Sequence, residues 1–267
     1  MVNNTFIPES KDTIERVVDD WKSTNKFVLS NFYGLTAGFE YDYFIASNSI
    51  VIRKHENDYY RLFVLSTDPT ELEAVLKPLE EEYVINIPSR KPIDEWIDIL
   101  KNSGFEYYST YSRYCNTKIA TMKKHKTSLN IHASIENLEE IYQLLTETFS
   151  PYTGHLPTKE ELGEMIRNQQ VLIDKYPDGH VCGVNIHTIT GVTGYGNAWV
   201  DKGERAVELL LDMYNEMIDK GVKRHTFWVN DSNIGVAKTH IRMGAKPDGL
   251  KDYTFIKNNK KQIITGL

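Results

Sequence analysis

The stretch Val200-Asp-Lys-Gly-Glu-Arg-Ala206 sets a glycine, Gly203, between the end of one apolar segment and the start of a strong helical one. The first N–H groups of a helix have no intrahelical acceptors, and the helix dipole favours an anion beside them. Lys202 and Arg205 add positive charge at this junction, whereas Glu204 opposes it. A second junction, Asn230-Asp-Ser-Asn233, offers four side chains able to accept a bond from a free helix N–H ahead of Ile234. The helix that follows carries His240, and an imidazolium is a competent acid near neutral pH. Cys115 and Cys182 give neither a disulfide framework nor metal-ligand spacing. A free cysteine such as Cys182 is commonly a small core residue, and His180 only shares its strand face.

These residues must be held by regular elements, and the periodicity supplies them in two similar runs. In the first half, helices are expected over Thr13–Lys22, from Asp68 as cap and Pro69 at the first position to Leu79, and over Pro92–Asn102. Strands are expected at Ser49–Arg53, Tyr59–Leu65, Tyr83–Ile87, Phe105–Tyr108 and Tyr111–Asn116. In the second half, Leu129–His132 reads as a strand and Ile135–Phe149 as a helix. Thr158–Arg167 is a helix whose Thr158 and Glu161 make a capping box. Strands follow at Val171–Asp174, His180–Ile189 and Gly194–Val200, then a helix at Ala206–Lys220 and a strand at Val222–Val229. A short helix ending at Gly244, a polar turn Lys246–Gly249 and a strand around Tyr253–Ile256 complete the chain. The helix–glycine–strand order at Gly104 recurs at Gly244, which points to a duplicated α/β domain. The expected division is 1–118, a basic linker 119–127 and 128–267.

A chain of 267 residues suits two domains of ordinary size, and 40% hydrophobic residues with 16 tyrosines provide ample core. A net charge of −6 argues against nucleic-acid binding through phosphate neutralisation. No apolar run approaches a membrane span, and the N-terminus lacks a cationic start before an apolar stretch, so the expectation is a soluble, cytoplasmic protein without a membrane partner.

The order strand, Asn233, helix, Gly244, strand resembles the last third of the GNAT acyltransferase superfamily. The family spacing there is Asn, Ala, Tyr, then Gly-Phe; this chain has Asn233, Val236, His240 and Gly244-Ala245, matching by identity at Asn and Gly. The resemblance implies two GNAT-like α+β domains, each a mixed, mostly antiparallel twisted sheet flanked by helices. It implies acetyl-coenzyme A as co-substrate, no metal, and a small amine as acceptor. The donor would lie against Trp199, Val200, Lys202, Gly203, Arg205, Ala206 and Asn233. The family phosphate loop, Gln/Arg-x-x-Gly-x-Gly/Ala, is longer by roughly three residues, and Glu204 stands where a glycine is usual. His240 takes the place of the tyrosine that protonates the leaving thiolate, with Tyr253 and Tyr195 as substitutes. Glu147, Asp201 and His187 are the candidate bases, and Tyr152, Gly154 and His155 lie in the segment that commonly shapes the acceptor pocket. The first half has no glycine in its loop, and Pro69 lacks an amide, so it reads as a degenerate copy. Two other readings stay open: a non-catalytic binding protein on this scaffold, and a transferase using an aminoacyl-tRNA or acyl-carrier-protein donor.

Overall fold

A computed structural model describes residues 5–56, 58–126, 131–153, 156–202 and 205–258. In the first half the strands are β1 (Ile7–Glu9), β2 (Leu29–Ser30), β3 (Tyr41–Ile45), β4 (Ser49–His55), β5 (Tyr60–Ser66), β6 (Tyr83–Ser89) and β7 (Phe105–Asn116). Its helices are α1 (Lys11–Thr24), α2 (Pro69–Leu76) and α3 (Asp94–Asn102). In the second half the strands are β8 (Val171–Lys175), β9 (Val181–Thr190), β10 (Thr193–Asp201), β11 (Arg224–Asn230) and β12 (Lys246–Lys257). The helices there are α4 (Leu138–Thr148), α5 (Lys159–Arg167), α6 (Ala206–Asp219) and α7 (Ile234–Arg242). The caps follow the sequence: Asp68 accepts from Thr70 N with Pro69 in the first turn, and Thr158 and Glu161 form the reciprocal box. Gly104 and Gly244, at φ +86° and +96°, close α3 and α7 in the left-handed conformation.

The chain divides into two compact units, 1–110 with 251–267, and 111–250. In the first, β1, β3, β4 and β5 pair antiparallel in turn, β5 and β6 run parallel around α2, and β6 pairs antiparallel with Lys251–Lys257. In the second, β8, β9 and β10 are antiparallel, β10 and β11 run parallel around α6, and β11 pairs antiparallel with Tyr111–Asn116. Each unit is therefore a mixed sheet with the same antiparallel-then-parallel order. The strand after α7 belongs from Lys251 onward to the first unit, where Phe255 is buried and Tyr253 packs against the same core as Leu62, Ile85 and Trp96. Phe105–Tyr108 and Tyr111–Asn116, expected as a pair, form one strand, and the expected turn Lys246–Gly249 is the start of β12.

The division thus differs from 1–118 and 128–267, because strand pairing and core burial, not sequence neighbourhood, assign 111–116 and 251–257. The expected linker is also docked. Ile119 is fully buried among Leu209, Met213 and Met217 of α6, and His125 and Asn215 exchange hydrogen bonds. Thr127 and the start of the strand expected at Leu129–His132 lie outside the described residues, while His132 bridges to Leu172. No helix among the described residues is long and apolar enough to cross a membrane.

Candidate functional site

The parallel pairing of β10 with β11 covers only Thr193–Gly196 against Arg224–Phe227, although both strands continue. Beyond Gly196 they part, so among the described residues the edge of β10 that faces β11 carries no ladder partner from Asn197 to Val200. At the parting point the β9–β10 register shifts between Gly196 and Ala198, leaving Asn197 unpaired in that ladder as well. A bulge of this kind turns backbone polar groups out of the sheet. A pocket of about 340 Å³ occupies the opening, between Asn197, Ala198 and Trp199 on one side and Trp228, Asn230 and Val236 on the other.

Of the expected residues, Trp199, Asn233 and His240 line this pocket, as does Tyr195. Asn233 also caps α7, accepting from Val236 N at 3.2 Å. Val200 turns instead to the core under α4 and α5. Ala206 opens α6, whose N-cap Arg205 makes no side-chain capping bond. The two nearby cations are already engaged. Lys202 Nζ lies 3.0 Å from Glu147 Oε2, and the Arg205 guanidinium is paired with buried Asp174. Gly203, Gly154 and His155 lie outside the described residues. Tyr253 belongs to the first unit and is not among the pocket-lining residues.

None of the expected bases lines the pocket. Glu147 pairs with Lys202, Asp201 stands beside Asp174 and Cys182, and His187 is buried against Glu216 at 3.2 Å. The last grouping was invisible in the sequence: ligand-type atoms of Asp174, Cys182 and Asp201 lie within 4.8 Å of one another. Arg205 supplies a positive charge there. Burial and the two carboxylates push the Cys182 thiol up to about 11, so it is an inert core thiol rather than a nucleophile.

His240 is 4% exposed, its ring 4.0 Å from that of Phe227 and edge-on to Trp199 at 5.3 Å. Burial lowers its pKa to about 4. The expected imidazolium donor is therefore not the resting form; the ring is neutral near pH 7. Beside it, and missed by sequence reasoning, His225 lines the same pocket at 1% exposure, stacked on Phe227. Burial, then the neighbouring His240 and His187, hold its pKa well below the ordinary value. Among the described residues, both ring nitrogens of His225, Nδ1 of His240, Nε1 of Trp199 and Oδ1 of Asn185 are buried without a hydrogen-bond partner. Four side chains of the pocket wall thus carry buried polar atoms without a partner among the described residues.

The equivalent parting in the first unit is filled. β5 pairs with β6 only at Tyr60–Leu62, and β2 takes over at Leu65 and Ser66. Next to it, Asn31 Nδ2 donates to Leu62 O and Asn86 O while its Oδ1 accepts from Val64 N.

Solved structures share this architecture. A GCN5-related N-acetyltransferase from Sphaerobacter thermophilus matches with a TM-score of 0.58 at 14% identity, over 91% of this chain and 84% of its own. A GNAT-family acetyltransferase from Colwellia psychrerythraea gives 0.56 at 10% identity over 94% and 98%. A tandem GNAT protein from the clavulanic acid biosynthesis pathway gives 0.53 at 10% identity over 94% and 97%. By sequence, no family model and no curated protein matches.

Proposed function

We propose that this chain, whose fold is that of the GNAT acetyltransferases, moves an acyl group, acetyl in the simplest case, from coenzyme A to an amine in the pocket of its second unit. The observation that carries the reading is the edge of β10 that opens at the bulge of Asn197, on the side facing β11. An unpaired strand edge offers alternating N–H and C=O groups to the amides of an extended thioester arm. Amides at the bulge then stand where the thioester carbonyl gathers negative charge during attack. First-turn amides of α6 suit the pyrophosphate, with Ala206 small enough for close approach. The amine nitrogen bonds to the carbonyl carbon, the C–S bond breaks, and the thiolate takes a proton. His240, as a neutral ring holding both a donor and an acceptor nitrogen, serves proton transfer at that point. The first unit, its parting filled by Asn31 and β2, acts as scaffold.

The engagement of Lys202 by Glu147 and Arg205 by Asp174 favours a second reading, a scaffold that binds a ligand without turnover, since neither cation is free for phosphate. Acetyl-coenzyme A incubated with the full chain and a panel of primary amines separates the two. Thiol release matched by the mass of an acetylated amine supports transfer. Binding without release by any amine supports the second reading with coenzyme A as its ligand, and no binding removes the transferase reading and leaves a scaffold for another ligand.

A further inference from the structure

The pocket passes through the sheet where β10 and β11 part, and its two faces differ. Side chains alternate along β11. His225 and Phe227 turn towards α6 and α7, where His225 meets Tyr214 and Phe227 packs on Val236 and Ala237. Thr226, Trp228 and Asn230 therefore turn to the opposite face, which Tyr195 shares as the register partner of Thr226. Phe149 and Leu156, which pack on the core under α4 and α5, complete the lining. With the donor's phosphates on α6, the amine enters from this second face.

An amine reaches a site at neutral pH either as an ammonium, which a carboxylate can hold, or as a neutral base. Among the described residues no aspartate or glutamate lines the pocket, and the single cationic side chain in its wall, Arg113, is bonded to Asp248 Oδ2 through Nε at 2.7 Å and Nη2 at 2.6 Å. The other ionisable groups in the wall are two tyrosines and the imidazoles of His225 and His240, whose pKa values burial lowers. An ammonium taken into such a site loses its hydration with no opposite charge to offset the loss. The wall offers instead the aromatic surfaces of Trp228, Tyr195 and Phe149, together with neutral hydrogen-bonding atoms. These are Asn185 Oδ1, Trp199 Nε1 and the His225 ring nitrogens, buried without a partner among the described residues. A planar ring that carries an amino group matches both kinds of surface. An engineered cavity of about 150 Å³ holds benzene, so about 340 Å³ admits one ring beside the acetyl thioester.

We infer, on the transferase reading above, that the acceptor is an arylamine, its amino group borne directly on an aromatic or heteroaromatic ring, and that it enters and reacts as the neutral base. The ring shares the nitrogen lone pair, which keeps such an amine uncharged at neutral pH. The reaction then balances inside the pocket. The nitrogen lone pair forms the N–C bond, the C–S electron pair leaves on sulfur, and the one proton lost by the new amide nitrogen ends on that sulfur. An alkylammonium would release a second proton, for which the described wall holds no carboxylate.

The test compares aniline with cyclohexylamine, whose ring has the same number of atoms. An alkylamine with a pKa near the lysine value of about 10.4 has only on the order of one neutral molecule in 10³ at pH 7. Saturation transfer from the full chain with coenzyme A bound reports amine affinity, and thiol release from acetyl-coenzyme A with the product mass reports turnover. Aniline should bind at least about tenfold more tightly at pH 7. Its kcat/KM should stay level from about pH 6 to about pH 9, while that of cyclohexylamine should rise about tenfold per pH unit as its neutral fraction grows. Asn230→Asp keeps an oxygen for the Ser232 N and Oγ bonds, at 2.9 and 2.7 Å, and adds a carboxylate to the wall. It should raise cyclohexylamine affinity about tenfold. Cyclohexylamine bound as tightly as aniline by wild type, a level kcat/KM for it over that range, or an unchanged preference in Asn230→Asp overturns the arylamine assignment. So does acetylation of other amines with none of aniline, and in each case thiol release leaves the transferase reading standing. Thiol release with no amine at all undoes the transferase reading and the assignment with it.

Discussion

Acid should destabilise the second unit through His240, and the size of the effect follows from its burial. The ring is 4% exposed and its pKa falls from 6.5 to about 4. Above the unfolded pKa both folded and unfolded states are neutral at this position, so it contributes no pH dependence. Below it, the unfolded chain binds a proton that the folded one rejects, and stability is lost progressively as the pH falls from about 6.5 to about 4. Two and a half pH units at 1.36 kcal/mol each give a loss of about 3 kcal/mol. His225, lowered in the same direction, adds to it. His240→Phe keeps an aromatic ring between Phe227 and Trp199 and removes the titration. Urea unfolding at pH values across that window, followed by tryptophan fluorescence, should show the variant gaining about 3 kcal/mol on wild type as the pH drops. Parallel stability curves for the two proteins would refute the reasoning, because they would mean that the ring is hydrated or protonated in the folded state.

Asn31→Ala removes the partners of Leu62 O, Asn86 O and Val64 N in the first unit. At about 1–3 kcal/mol for each unpaired group it should cost at least about 3 kcal/mol, read by thermal melting. Gly183→Ala would bring a Cβ to 2.8 Å from Asp201 Oδ2 and 3.1 Å from Asp174 Cβ. Thermal melting should show a loss of about 1–3 kcal/mol, and an unchanged midpoint would place Asp201 elsewhere. Burial raises the Asp252 carboxyl to about 6 from 3.8, against Arg61 and Asn86, which lower it. A raised acid weakens the fold as the pH rises from 3.8 towards 6, so Asp252→Asn should stabilise the protein at neutral pH by up to about 3 kcal/mol, with the gain disappearing in acid.

Local signals were legible. The Asp68-Pro69 start, the Thr158–Glu161 box and the glycines at 104 and 244 each act within a few residues of themselves, and each is found as read. Trp199, Asn233 and His240, expected near the donor from the family resemblance, all line the pocket. What failed was non-local. Nothing in Tyr111–Asn116 or Lys251–Lys257 says which parallel pair each will border, because either stretch satisfies any sheet edge of matching pattern. Tyr253 was lost to the site for that reason. His225 carried no spacing signal, since its place in the pocket wall depends on which strand lies beside β11. The protonation of His240 was misread because burial, not residue type, sets it. Lys202 and Arg205 likewise met carboxylates, Glu147 and Asp174, that lie far from them in sequence.

The central claim is that one donor binds each chain, at the parting of β10 and β11 with its phosphates on α6. Titration calorimetry with acetyl-coenzyme A, on wild type and Ala206→Glu, tests it most directly. A carboxylate in the first turn favours a helix by about 0.3–1 kcal/mol, so the variant should melt no lower than wild type while repelling an anionic ligand at the same amides. The account predicts one site per chain in wild type and affinity at least about tenfold weaker, or about 1.4 kcal/mol, in the variant. No binding by wild type, two equivalent sites, or a variant that binds as tightly as wild type would contradict it.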